Sequence, residues 1–157
     1  MYKLTEEGLR KLEKRRDDLE DKIKGLLRKK NEVYRNSGDE WHDNPSLYNL
    51  ENEIDSLRRM LAKVERKINN AEIIEEDRDN EKEVRIGNRV EVEFESGEKE
   101  TLIVSDPENI DLNKGVISYK SPLGKAILGA GEGDCCNYVV GKKEITVTVR
   151  KIKKREE

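Results

Sequence analysis

Apolar residues recurring at alternating steps of three and four constrain this chain more than any other feature. Leu9, Leu12, Leu19, Ile23, Leu26 and Val33 fall on one such stripe, which Arg16 and Lys30 complete. A second stripe runs through Leu47, Leu50, Ile54, Leu57, Leu61, Val64, Ile68 and Ala71. That spacing lays a narrow seam along one helix face, the a/d pattern of a coiled coil. Thr5 suits an N-cap, and Glu6 and Glu7 suit the positive end of a helix. Asn36-Ser37-Gly38 and Asn44-Pro45-Ser46 break the helical pattern between the arms. Two arms of nearly equal length with a short connection predict an antiparallel hairpin, each arm about 45 Å long at 1.5 Å per residue. One register pairs Val33 with Leu50, Leu26 with Leu57, Ile23 with Leu61, Leu19 with Val64 and Leu12 with Ala71. A parallel coiled coil between two chains is the structural rival. Gly25, inside the first arm, costs about 1 kcal/mol relative to Ala.

Charge divides this hairpin. Charged residues are 43% of the chain and hydrophobic ones 33%, so the periodicity, not bulk hydrophobicity, argues for order. Between Arg35 and Arg58 there is no Lys or Arg, while Asp39, Glu40, Asp43, Glu51, Glu53 and Asp55 fall in that gap. The tip, residues 36–46, is therefore acidic. Carboxylates are the donors Mg²⁺ takes, but two or three exposed acids make no complete cage and would have to share the ion with a partner. On spacing alone the same residues read first as a polar turn, with Asp43 and Asn44 as N-caps of the second arm. His42, the only histidine, has no companion for a zinc site. Trp41, the only tryptophan, either packs back on the arms or meets a partner. Behind the tip the register gathers Lys22, Lys24, Arg28 and Lys29 with Arg58, Arg59, Lys63, Arg66 and Lys67. These form either a solvated coiled-coil surface or a phosphate-binding patch about 20 Å back from the acids.

After the charged linker 77–83 the period changes to two. Val90, Val92 and Phe94 alternate with charged residues, Ser96-Gly97 turns the chain, and Thr101–Val104, Val116–Tyr119 and Ile145–Val149 read as further strands. Ser121-Pro122 opens a short helix over Leu123–Leu128, with Gly129 as its stop. The expected fold class is α+β. Residues 1–76 form an antiparallel α-helical coiled-coil hairpin, and 84–157 form a mostly antiparallel β domain with one short helix. That second part carries no catalytic constellation, which suggests docking.

No apolar stretch approaches the roughly 20 residues needed to span a membrane, and the start of the chain lacks a signal-peptide core. The expectation is a cytoplasmic monomer with Cys135 and Cys136 as ordinary thiols.

Two segments resemble a known family. Gly115-Val116-Ile117-Ser118-Tyr119-Lys120-Ser121-Pro122-Leu123-Gly124-Lys125-Ala126-Ile127-Leu128-Gly129, followed by Gly133-Asp134, is similar to the C-terminal signature of the GreA/GreB bacterial transcription elongation factors. So is the opening Leu4-Thr5-Glu6-Glu7-Gly8-Leu9-Arg10-Lys11-Leu12. The resemblance implies an FKBP-like second domain that docks on bacterial RNA polymerase through Ser121, Pro122, Leu123, Gly124 and Lys125. It also implies that the coiled coil enters the secondary channel. The tip acids would help hold a polymerase Mg²⁺ while the polymerase itself cleaves the 3′ end of backtracked RNA, with Lys24, Arg28, Arg58, Arg59 and Lys63 beside the RNA. The factor would have no cofactor of its own and would not be an enzyme alone.

The family's tip reads Gly-Asp-Leu-x-Glu-Asn. Aligned back from Asn44, Asp43 takes the Glu position and Glu40 the Asp position; aligned forward from Gly38, Asp39 keeps the Asp position. In both, the Glu has become a shorter Asp, so an inhibitory relative that occupies the channel without promoting cleavage is the second reading. A prolyl isomerase or chaperone and a coiled-coil scaffold are the remaining ones. The first is disfavoured because residues 84–157 hold only Phe94, Tyr119 and Tyr138 as aromatics.

Overall fold

The computed structural model describes residues 2–38, 44–76 and 81–153. The tip residues Asp39, Glu40, Trp41, His42 and Asp43, and linker residues 77–80, lie outside the described residues. The chain divides into two compact units, one of residues 1–2 and 10–71, the other of 3–9 and 72–157.

The first unit is built from α1 (Glu6–Ser37) and α2 (Pro45–Asn69). At 32 and 25 residues they are about 48 and 38 Å long. Every residue of both expected stripes is buried or half-buried, and Leu12, Leu19, Ile23, Leu47, Leu50, Ile54 and Val64 are the most deeply buried. The helices run antiparallel. Near one end Asn44 Nδ2 donates to Ser37 Oγ at 3.0 Å, further in Lys30 Nζ meets Glu51 at 2.6 Å, and at the other end Tyr2 N–H donates to Asn70 O. Both polar interruptions of the first stripe are neutralised: Lys30 by Glu51 across the pair, Arg16 by its neighbour Asp17. The second stripe outruns its helix by one step. Asn70 caps α2, and Ala71 opens the short strand β2 (Ala71–Ile73), which pairs with β1 (Tyr2–Leu4).

The second unit is a five-stranded sheet of β3 (Arg89–Phe94), β4 (Lys99–Ser105), β5 (Val116–Ser118), β6 (Cys135–Val140) and β7 (Lys143–Lys153). The spatial order is β5-β4-β3-β7-β6. All neighbours are antiparallel except β4 and β5, which are parallel and joined through a 3₁₀ turn at Leu112–Lys114. The helix α3 (Pro122–Ile127) connects β5 to β6. Val90, Val92, Leu102, Val104, Val147, Val149 and Ile127 meet in one core.

A buried carboxylate sits at the start of α1. Asp106, fully buried at the end of β4, accepts hydrogen bonds from Thr5 N–H and Thr5 Oγ1, from Glu108 N–H at 2.8 Å and from Asn109 Nδ2 at 2.9 Å. Four donors offset the desolvation of a charge that would otherwise be costly to bury. Thr5 is the N-cap, accepting from Gly8 N–H at 3.1 Å. Asn109 donates to both Thr5 Oγ1 and Asp106, and its Oδ1 is buried without a protein partner among the described residues. The cluster explains Gly8, because a Cβ there would stand 2.6 Å from both Asp106 carboxylate oxygens.

Gly8→Ala and Gly25→Ala are therefore expected to act with opposite signs. Nothing lies within 4 Å of a Cβ at Gly25, so alanine there should stabilise by up to about 1 kcal/mol. Alanine at Gly8 should destabilise by about 1–3 kcal/mol, because the carboxylate it displaces is fixed by four hydrogen bonds. Urea denaturation midpoints check both.

Candidate functional site

Three regions carry the residues singled out by sequence. The first flanks the tip. Ser37 Oγ donates to Val33 O at 2.7 Å while accepting from Asn44, and Gly38 leaves the helix with φ 56°. Asn44 Oδ1 accepts from Ser46 N–H at 2.9 Å, so Asn44 is the N-cap of α2, and Pro45 opens the helix. A cap was one of the two roles the sequence offered Asp43 and Asn44, and Asn44 fills it. The five tip residues 39–43 thus run between two fixed ends, Gly38 and Asn44. Glu40, Asp43 and Asp39 themselves are outside the described residues.

The second region is the basic stretch behind the tip. Lys24, Arg28, Arg58, Arg59 and Lys63 are all exposed, and Arg58 lies 3.7 Å from Asp55. On α1, Lys24 and Arg28 are one turn apart, as are Arg59 and Lys63 on α2. Across the pair, the hydrogen bond that Lys30 donates to Glu51 holds its ammonium above the ordinary pKa, and the Arg58 charge works against it. Arg58 and Lys30 are therefore electrostatic neighbours, drawn from opposite helices.

The third region is the Ser121–Lys125 turn. Ser121 Oγ accepts from Gly124 N–H at 3.0 Å and donates to Ser118 O at 2.7 Å, so Ser121 both caps α3 and ties it to β5. A Cβ on Gly124 would fall 2.1 Å from Ser118 O, so this turn admits only glycine. Leu123 is half-buried against the core. Pro122 and Lys125 are the exposed members. The five residues predicted to dock thus divide: Ser121, Leu123 and Gly124 build the turn, while Pro122 and Lys125 face outward.

Where α3 ends, Gly129 N–H bonds Val84 O and a groove of about 440 Å³ opens, lined by Arg85, Ile86, Leu128 and Ile74 among others. Sequence reasoning missed this groove, because Val84–Ile86 lies just outside the strand pattern. It also missed Asp106 and Asn109. The available signal was a glycine three residues after an N-cap, where the first helical turn must admit something bulky.

Cys135 is exposed, with Sγ 3.5 Å from Thr148 Oγ1, and Cys136 is half-buried, its thiol pushed up in pKa chiefly by burial. Both are free thiols. Among the described residues no three His, Cys, Asp or Glu side chains are grouped to hold a metal ion, and no helix is long and apolar enough to cross a membrane.

The chain thus comprises a helical-hairpin unit with an acidic connecting sequence and a β unit whose Ser121–Lys125 turn is a partly exposed cap. Comparison with known proteins narrows the class. The family model "Transcription elongation factor, GreA/GreB, C-term" matches residues 79–154. The transcription elongation factor GreA of Thermotoga sp. strain RQ2 is 31% identical over 133 residues, covering 84% of each chain. That of Staphylococcus epidermidis is 32% identical over 134 residues, covering 85% of this chain and 84% of the other. The crystal structure of Thermus aquaticus Gfh1 is 26% identical and covers 97% of both chains, with a TM-score of 0.45. The chain belongs to the GreA/GreB family of transcription elongation factors.

The signature turn should separate by substitution. Ser121→Ala is expected to cost about 1 kcal/mol through the lost cap, read as a lower melting temperature. Lys125→Glu should leave stability within about 0.5 kcal/mol, since Lys125 is exposed. Any loss of partner binding by Lys125→Glu would then reflect the surface alone.

Proposed function

We propose that this chain binds bacterial RNA polymerase during elongation, with residues 84–157 docking on the enzyme and the hairpin reaching into its secondary channel. There Glu40 and Asp43, or Asp39 in the alternative register, would lend carboxylates to an active-site Mg²⁺, and the polymerase would cleave backtracked RNA. The observation that supports the proposal is where the acids fall along the sequence. The only residues between the fixed ends Gly38 and Asn44 are Asp39, Glu40, Trp41, His42 and Asp43, at the junction of two long helices. Carboxylate oxygens suit a hard cation that keeps several waters, so two acids can complete a shared site. Such an ion supplies water activation and charge neutralisation in two-metal hydrolysis. Lys24, Arg28, Arg58, Arg59 and Lys63 would then lie along the RNA and steer its phosphates. Pro122 and Lys125, with the groove at the end of α3, offer the docking surface.

One observation favours a second reading. Asp43 stands where the family pattern has Glu, and a side chain one methylene shorter reaches a metal differently. A factor with that tip would occupy the channel and slow nucleotide addition without promoting cleavage.

The test uses stalled, backtracked elongation complexes with the full chain. The expected result is shortened RNA, with Asp43→Asn lowering the cleavage rate at least about tenfold (about 1.4 kcal/mol of barrier) and leaving polymerase binding unchanged. Unchanged cleavage in both Asp43→Asn and Glu40→Gln removes the carboxylate role. Slowed nucleotide addition with no shortened RNA establishes the inhibitory reading.

A further inference from the structure

The second unit has another surface, at the hairpin end of its sheet. Phe94 ends β3, and Tyr138 and Ile145 are cross-strand partners on β6 and β7. Phe94 and Tyr138 pack against the core but remain half-exposed. Together they floor a groove of about 370 Å³. Glu95, Glu98, Glu100 and Glu144 stand on its walls, against the single cation Lys143.

Those carboxylates differ from others on the same sheet. Glu91 pairs with Lys153 at 3.6 Å, and Glu93 with Arg150 at 2.9 Å and Lys99 at 3.8 Å. The Arg150 hydrogen bond holds the Glu93 carboxyl below its usual range. Among the described residues no cation lies within ion-pair distance of Glu95, Glu98, Glu100 or Glu144. In a chain this rich in Lys and Arg, unpaired carboxylates are gathered around two aromatic rings. Burial first, and then the Glu100 charge, push the Tyr138 hydroxyl up in pKa.

We propose that this groove docks an arginine-bearing segment of a partner protein, the guanidinium lying over Tyr138 or Phe94 and forking onto Glu98 and Glu100. Complementarity selects the occupant. A planar, weakly hydrated guanidinium stacks on an aromatic face and bonds a carboxylate through two parallel N–H groups. A polyanion meets repulsion at four carboxylates, and an apolar segment would leave them desolvated and unpaired. None of Ser121–Lys125 is among the residues lining the groove, which belongs to the hairpins β3–β4 and β6–β7.

The test is a titration of the ¹⁵N-labelled full chain with the peptide acetyl-Gly-Arg-Val-Arg-Gly-amide, and with its analogue carrying citrulline in place of both arginines. Saturable amide shifts centred on Phe94, Glu98, Glu100, Tyr138 and Ile145 are expected with the arginine peptide only, weakening in about 0.5 M salt. The double variant Glu98→Gln/Glu100→Gln changes only exposed side chains and should weaken binding about tenfold. Tyr138→Leu should weaken it while keeping the apolar floor. Equal binding by the citrulline peptide or by the double variant overturns the proposal. So do shifts centred elsewhere, such as residues 39–43, or no saturable shift. Concentration-dependent shifts of the same amides without peptide would place a second copy of this chain in the groove and equally overturn it.

Discussion

The carboxylate of Asp106 is the interaction on which the design of the second unit turns. A buried charge is tolerable only when donors surround it, and here the donors come from segments about a hundred residues apart in sequence. Thr5 supplies two, and the loop after β4 supplies the rest. The first turn of α1 is thereby held in the globular unit, although by sequence position it belongs to the helical arm. The cost falls on two residues. Gly8 must lack a side chain, and Asn109 keeps an unpartnered carbonyl oxygen in the interior. The opening motif Leu4-Thr5-Glu6-Glu7-Gly8 is in this light a cap and a clearance for Asp106, and its resemblance to the family signature has a structural cause.

The C-terminal signature rests on the same kind of cause. Ser121 satisfies Gly124 N–H and Ser118 O together, and Gly124 gives way to the Ser118 carbonyl. Specific sequence patterns are often taken to mark contact surfaces. Here most of the pattern is spent on closing a six-residue helix onto β5, and the outward-facing share is Pro122 and Lys125. A short helix has few internal hydrogen bonds, so its end groups must be satisfied by side chains and neighbouring strands. Rigidity of the turn is what lets two exposed residues hold a defined position.

Legibility in the sequence followed how each element makes its signal. The hairpin was readable because heptad steps fix one buried face, and every stripe position is at least half-buried. Its limit was Ala71, which fits the stripe but belongs to β2, since apolar spacing does not register a cap such as Asn70. Strands β3, β4 and β7 were readable from alternation. Strand β6 was not: Cys136 and Tyr138 point to the core side while Cys135, Asn137 and Val139 are exposed, and these two sets hardly differ in polarity. Strands β1 and β2 are three residues each, too short for any period. The Asp106 cluster joins residues about a hundred positions apart, which no local pattern carries.

Charge shows a similar division between what is structural and what is left for partners. Several carboxylates are matched to a cation: Glu51 with Lys30, Asp17 with Arg16, Glu91 with Lys153, Glu93 with Arg150. Exposed pairs of this kind add little stability singly, but they cancel the field of a chain that is 43% charged. What cancellation leaves is informative. One residue of field is the tip, where no Lys or Arg occurs between Arg35 and Arg58. Another is the groove over Phe94 and Tyr138. With net charge only −3, long-range attraction to any partner is weak, so recognition must be set by these local fields. The tip acids Asp39, Glu40 and Asp43 follow one another closely in sequence between Gly38 and Asn44, whereas the groove acids come from strands β4 and β7 (Glu100, Glu144) and from the turn between β3 and β4 (Glu95, Glu98), an arrangement suited to a fixed geometry such as a guanidinium's. The groove adds what a run of acids alone lacks, two half-exposed aromatic rings beside the carboxylates, and that pairing is what selects a planar cation over a spherical one.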